Sequence, residues 1–291
     1  MSEILQRAGL RNADLRQAID LAVAGGIGAA FGLYQYTELV HVGSLWMRDA
    51  LAGGLIGGMI GFALNASGPM RDGSWPAMAR ASAWGALAGA IGGALGLVLG
   101  EFVLGGLQGG LLGRSVSWSI LGLGIGASQG LAYRSRQKLA FGLIGGGLGG
   151  LVGGFLFELL RQSFGSRYDL GQGLGIVVLG AGLGLALAAV EQALRRAWVV
   201  VMSGRQEGRS YLVLRPVVTL GLDERADIGL FADPTIARAH AEIRRDGRGY
   251  ILHPVSGGLT RVNGADVAGP TGLSDGDRVE LGQTLLVFRS R

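Results

Sequence analysis

Six apolar stretches dominate the first two-thirds of the chain, at roughly Leu21–Tyr36, Ala50–Asn65, Ala81–Val103, Ser117–Tyr133, Leu139–Leu160 and Leu174–Ala193, with short polar breaks between them. Each runs for about 16–23 residues, and a helix needs roughly 20 to cross a ~30 Å hydrocarbon core. Backbone polar groups in lipid must be satisfied within the segment or by a closed barrel, and segments of this length favour helices. Near residue 197 the period changes. Trp198–Met202, Tyr211–Leu214, Val217–Leu220, Ala241–Arg244, Tyr250–Leu252 and Leu285–Phe288 are short strand-favouring runs set between Gly, Pro, Asn and Asp punctuation. That pattern predicts a β-sandwich. The expected order is an N-terminal cytoplasmic segment (1–17), an all-α polytopic membrane bundle of six Gly-rich helices in three hairpin repeats (18–196), and an all-β sandwich (197–291).

Composition sharpens the division. Of 56 Gly in 291 residues, 43 fall in 1–197. In water each Gly in a helix costs about 1 kcal/mol relative to Ala, so a soluble bundle with this many would not hold. In a membrane the same residues let helix backbones approach closely. Their spacing fits that use: Gly142, Gly146, Gly150 and Gly154 recur every four residues, and so do Gly53, Gly57 and Gly61, Gly85, Gly89 and Gly93, and Gly122, Gly126 and Gly130. Rows at this interval lie along one helix face. Such faces are expected to be packing surfaces within one tight bundle, and they would also admit a second copy of the chain.

A repeat runs through the bundle. Residues 84–102 align with 141–159 at an offset of 57, and Leu121–Gly126 with Leu179–Gly184 at an offset of 58. The first helix pair reads as a weaker third copy, giving three tandem hairpins and a pseudo-threefold bundle. In that alignment Glu38 takes the place of Glu101 and Glu158, all three near the outer ends of the odd-numbered helices. A carboxylate cluster there would attract cations; the plainer reading is that each acid sits at the aqueous boundary and bonds to its own turns. The centres of the six segments carry no Asp, Glu, Lys or Arg, so no ion or proton relay is marked at mid-depth.

With the N-terminus in the cytoplasm, ten Arg and Lys lie on the inner side, from Arg7 to Arg196, against Arg48, Arg114, Arg161 and Arg167 outside. The positive-inside rule favours this orientation in the inner (cytoplasmic) membrane, with both termini cytoplasmic. The first twenty residues are too polar for a signal peptide and suggest a short helix on the membrane or the bundle. A formal charge of +5 carries no dense basic tract, so nucleic acid is not an expected partner. The absence of Cys removes thiolate chemistry, and three His with no ligand spacing point to neither metal nor cofactor. No phosphate-binding glycine–lysine loop or nucleophile–base pair can be read, so no enzyme is expected.

In the last third, Thr219-Leu-Gly221, Asp227-Ile-Gly-Leu230, Arg238-Ala-His240-Ala241, Ser256-Gly-Gly-Leu-Thr260, Val262-Asn-Gly264 and Gly276-Asp277 followed by Leu281-Gly282 together resemble a forkhead-associated (FHA) domain. The resemblance spans about 198–291 and implies a sandwich whose loops at one end recognise phosphothreonine peptides. Carried over by position, the family's phosphate-binding Arg falls on Leu222, its Ser on Ala237 and its Asn on Gly258, while Arg238, His240 and Thr260 match. The resemblance gives His240 a bracing role between loops. Arg225 would supply a substitute guanidinium, with Arg238, Thr260 and Asn263 as further candidate partner contacts. Two functions remain open from the residues: a membrane-anchored adaptor that recruits a cytoplasmic protein, phosphorylated on threonine or not, and a channel or transporter regulated by the β-domain. Polar residues facing a central cavity would favour the second, and a solid core the first.

Overall fold

The computed structural model describes residues 2–40, 43–106, 111–132, 135–164, 168–203, 206–223, 226–231, 233–247 and 249–291. Six helices come first: α1 (Ser2–Leu39), α2 (Leu45–Asp72), α3 (Trp75–Gly106), α4 (Leu111–Ala132), α5 (Arg136–Ser163) and α6 (Tyr168–Leu194). Eleven strands follow among the described residues: β1 (Ala197–Val201), β2 (Ser210–Leu212), β3 (Val217–Gly221), β4 (Ile228–Gly229), β5 (Ala241–Asp246), β6 (Gly249–Pro254), β7 (Thr260–Val262), β8 (Ala265–Asp266), β9 (Thr271–Leu273), β10 (Arg278–Leu281) and β11 (Thr284–Ser290). Helices α1, α2, α3, α5 and α6 extend at both ends beyond the apolar segments that predicted them, and α4 begins six residues before its segment. The N-terminal residues do not form a separate short helix; they belong to α1, since the sequence from Ser2 to Ala24 carries good helix formers and no proline to end it. The chain divides into two compact units, one of residues 18–71 and 75–194, the other of 1–17, 72–74 and 195–291.

In the helical unit, glycine decides which helices touch. Gly57 and Gly89, Gly53 and Gly93, and Gly61 and Gly85 face each other reciprocally across α2 and α3, so that a Cβ on either would collide with the other's carbonyl oxygen. Gly122 with Gly146 and Gly126 with Gly142 do the same across α4 and α5, and Gly25 with Gly180 across α6 and α1. Between these pairs the helices meet differently: Gly28 and Gly32 of α1 lie against Ile60 and Ile56 of α2, Gly96 of α3 against Leu121 of α4, and Gly149 and Gly153 of α5 against Leu183 and Leu179 of α6. The six helices therefore close into a ring of antiparallel neighbours, α6 returning to α1. Two kinds of contact alternate around it, as three copies of one hairpin require.

Superposing the three copies on their glycine pairs aligns Ile56, Leu121 and Leu179 as one set and Ile60, Ile125 and Leu183 as the next. All six are at most 3% exposed and belong to one buried cluster with Leu64, Phe157, Ile176 and Leu187. The even-numbered helices supply most of this filling and the odd-numbered ones the glycine rows that admit it. The interior is thus packed with branched apolar side chains. The other faces carry exposed apolar rows, such as Trp84, Leu87, Ile91, Leu95, Leu99 and Phe102 along α3. Among the described residues, five helices, α1, α2, α3, α5 and α6, contain stretches long and apolar enough to cross a membrane.

The second unit is built on two sheets, ordered β2-β1-β11-β10-β7-β8 and β4-β3-β5-β6-β9. They enclose a core of Val199, Val201, Leu220, Ile228, Leu230, Ile236, Ile243, Leu252, Leu281, Leu286 and Phe288. Strand β1 is buried on both faces: alternate residues Val199 and Val201 face the other sheet, while Trp198 and Val200 are covered by Ala13 of α1. Asp14 of α1 accepts two hydrogen bonds at 2.8 and 2.7 Å from Arg195, whose guanidinium also lies 3.8 Å from the Trp198 ring. Asp72 accepts from the Tyr211 hydroxyl at 2.7 Å and pairs with Arg209. Residues far outside the strands in sequence thus complete this unit.

Candidate functional site

The candidate docking surface is one end of the sandwich, where three connections meet: the one leaving β3 (Val217–Gly221), the one entering β5 (Ala241–Asp246), and the one between β6 (Gly249–Pro254) and β7 (Thr260–Val262). His240 ties them together and is completely buried. Its backbone N–H donates to the Leu220 carbonyl at 2.9 Å, and its own carbonyl accepts from Val255 and Ser256. The ring bridges two loops. Nδ1 accepts from the Ala237 N–H at 3.1 Å, which leaves Nε2 protonated and donating to the Leu259 carbonyl at 3.1 Å. Both ring nitrogens are used in a neutral tautomer. The bracing that the family resemblance implied for His240 is what these bonds provide.

Two glycines are fixed by close approach. A Cβ on Gly221 would collide with the Arg238 carbonyl, and one on Gly258 would lie 2.5 Å from Cε1 of His240. Gly258 is thus matched to the histidine behind it, and the asparagine that the family carries there would have to displace a ring held by two hydrogen bonds.

The backbone N–H groups of Leu222 and Asp223 donate to the carbonyls of Ala237 and Arg238, each at 3.1 Å, stitching the first loop to the second. Leu222 is half-buried and packs on the core. Arg238 is exposed, as are Val255 (51%) and Leu259 (45%). The second loop is held from below by Asp233, whose carboxylate accepts from the Thr235 N–H, the Thr235 hydroxyl, the Gln283 N–H and the Thr284 hydroxyl at 2.5–3.0 Å. Burial opposes ionisation of Asp233, but these donors outweigh it and hold its pKa below the ordinary value.

Of the residues singled out from sequence, Arg238 lies on this surface. Arg225 lies outside the described residues. Thr260 is 3% exposed and its hydroxyl donates inward to the Gly258 carbonyl at 3.4 Å, so it supports the loop from within. Asn263 is not brought to the loops at all. It sits at the far end of β7, where its amide donates to Asp277 and accepts from the Arg278 N–H, both at 2.9 Å. Its φ of 53°, followed by 83° at Gly264, makes the tight turn into β8 (Ala265–Asp266). The sequence reading missed Asp233; Asp-Pro-Thr was its one local signal, an acid placed to accept from the residue two positions on.

The three outer acids do not converge into a site. Glu158 is 2% exposed and bonds along its own helix to Arg161 and to Gln162 at 2.8 Å. Glu101 is half-buried and Glu38 exposed. The glycine pairing explains the difference: superposing α1 on α3 and α5 puts Thr37, not Glu38, at the place of Glu101 and Glu158. One residue of slip turns a helical side chain by ~100°. Among the described residues no three acids or histidines gather as metal ligands.

Residues 200–291 match the family described as the inner membrane component of the type III secretion system, cytoplasmic domain (Yop-YscD). The C-terminal domain is FHA-like. An oxoglutarate dehydrogenase inhibitor from Corynebacterium diphtheriae is 38% identical over 91 residues, 31% of this chain; the chain spans 62% of that relative's length. Among solved structures, an FHA domain from work on phosphothreonine-dependent FHA interactions is 30% identical, with 33% of this chain on 97% of that one and a TM-score of 0.31. The FhaA FHA domain, solved with the intracellular domain of Rv3910, is also 30% identical over 32% of this chain and 99% of that one, with a TM-score of 0.30. An FHA domain from Chlamydia trachomatis is 25% identical over 33% and 98%, with a TM-score of 0.30.

Proposed function

We propose that this chain is a non-enzymatic membrane adaptor, anchored by six spans in the cytoplasmic membrane, whose FHA-like domain recruits a protein partner in the cytoplasm. The observation that carries the reading is the loop surface itself: three connections fixed to one another through His240 and Asp233, with Arg238, Val255 and Leu259 exposed on them. Such a surface loses little conformational entropy on binding.

Exposed apolar rows on the helices support lipid as their solvent, because a soluble monomer does not leave faces of that extent bare. Helix α4 reads as a sixth span because it packs along both α3 and α5, through Gly124 against Gly92 and through Gly126 against Gly142; a neighbour of two spanning helices over that length crosses with them. The cytoplasmic domain named by the matching family agrees with the Arg and Lys bias. The closed apolar sets around Ile60, Ile125 and Leu183 speak against a continuous aqueous path, and so against the channel.

Two measurements test this. The chain has no cysteine, so single cysteines placed near each terminus report topology cleanly: both should react with an impermeant maleimide only in inverted vesicles. A photo-crosslinking residue at Leu259 should capture a protein in cells, while the same residue at Ser274, beyond the far end of β7, should not. Labelling of either terminus from outside removes the topology, and equal capture from both positions removes the docking surface.

A further inference from the structure

Toward the end of the ring where α2, α4 and α6 finish, the interior stops being apolar. One turn beyond Ile60, Ile125 and Leu183, the superposed copies carry Leu64, Gln129 and Leu187, so one of the three is an amide. The positions that follow are Asn65, Gly130 and Ala188. Gly130 lies against Leu139 of α5, and the same superposition sets Asn65 across from Ser82 of α3 and Ala188 across from Ala18 of α1. Two copies close this contact with small or apolar residues. The α2–α3 copy closes it with an amide and a hydroxyl, 0% and 1% exposed.

The nitrogen of Asn65 is fully engaged. Nδ2 donates to the Gly61 carbonyl at 2.8 Å and to the Ser128 hydroxyl at 3.2 Å, and Ser128 donates onward to the Ile125 carbonyl at 2.6 Å. These donations fix which end of the amide is nitrogen and leave Oδ1 as a buried acceptor. Neither Oδ1 nor the Ser82 hydroxyl has a hydrogen-bond partner among the described residues. A polar atom left dry at such depth carries its whole desolvation cost. Next to Ser128 on α4, Gln129 holds a third unpartnered atom, Nε2, and lines a cavity with Lys138, Phe141, Leu187 and Glu191. This end of the ring is polar as well as buried, and one acceptor facing one hydroxyl is the chemistry that a water molecule satisfies.

We propose that an ordered water is a built-in part of the bundle, bound between Asn65 Oδ1, to which it donates, and Ser82 Oγ. It joins α2 to α3 through polar side chains where the other two hairpins rely on van der Waals contact.

The chain contains three asparagines, Asn12, Asn65 and Asn263, so labelling asparagine alone with nitrogen-15 gives few side-chain amide signals. In the full chain in lipid bilayers under magic-angle spinning, magnetisation started on water should reach the Asn65 amide at short mixing time, although that side chain is fully buried. Loss of one signal in Asn65→Leu identifies it. Ser82→Ala should weaken the transfer by at least about twofold, since a water with fewer partners is held less well. The same variant should lower the midpoint of thermal unfolding by about 2–4 °C; removal of a hydroxyl that had no water would leave the midpoint unchanged or raise it. Absence of transfer to Asn65 overturns the inference. So does transfer that survives Ser82→Ala undiminished, which assigns it to hydroxyl exchange at Ser128, and so does a midpoint that holds or rises in that variant.

Discussion

The two halves of this molecule spend small residues in opposite ways. In the bundle, glycine is the contact surface: Gly53, Gly57 and Gly61 lie against Gly93, Gly89 and Gly85 with no room for a methyl group, and the missing side chains are what let the helices close into a ring. In the FHA-like domain half of the described glycines meet nothing; Gly247, Gly257, Gly264, Gly269, Gly272 and Gly276 have no atom within 4 Å of a would-be Cβ. Large side chains carry that core, and hydrogen bonds through Asp233 and His240 place its loops. On the membrane role proposed above, the difference follows from the solvent. Helices in lipid gain no hydrophobic drive by associating and must hold together by close backbone packing, whereas a sandwich in water is held by burying Leu, Ile, Val and Phe.

The sharpest way to break this contrast is to add a side chain at a reciprocal glycine. Gly126→Leu should abolish the folded bundle in detergent, and Gly126→Ala should cost on the order of 1–3 kcal/mol by overpacking, read as a lower midpoint in thermal unfolding followed by gel filtration. Tolerance of leucine there would show that the helices are not in backbone contact. Next in size, Asp14→Ala leaves the guanidinium of Arg195, 6% exposed, without its carboxylate; a loss of up to ~3 kcal/mol is expected, visible as earlier proteolysis of the strands in limited digestion.

Gly258→Asn should displace the His240 ring and break its bonds to Ala237 and Leu259, at a cost of about 1–3 kcal/mol, with weaker crosslinking from Leu259; unchanged crosslinking would show that the brace does not order the loops. Asp233 gives a smaller effect with a pH signature. Its folded pKa is depressed, so its contribution is present above the unfolded value near 3.9 and is lost as pH falls through the lower folded value. Asp233→Asn should therefore be less stable than the parent at pH 7, and the gap should narrow below about pH 4 in denaturant titrations. Smallest of all, Gly272→Ala should change stability by less than ~0.5 kcal/mol.

Much of this architecture is written locally. The four-residue glycine rows, the change of period near residue 197, and the offsets of 57 and 58 that relate the hairpins all reappear as real interfaces, because helix period and small-residue spacing are local properties. The FHA-like loops were also legible, since turn chemistry such as Asn263-Gly264 depends on backbone conformations few residues adopt. Which candidate residues share a surface was not. Thr260 and Asn263 stand three positions apart, yet a strand of three residues carries one inward beneath the docking loops and the other to the opposite end.

By itself, then, the sequence determined six helices, their apolar glycine-rich character and a sandwich, each from periodicity and residue type over short windows. Only the tertiary structure decided that α6 closes onto α1, that the ring is filled by Leu and Ile, that Glu38 falls out of register with Glu101 and Glu158, and that Asp14 and Asp72 complete a domain which begins more than a hundred residues later. Those outcomes depend on contacts between segments far apart in the chain, whose partners are selected by shape and charge complementarity that no local pattern encodes.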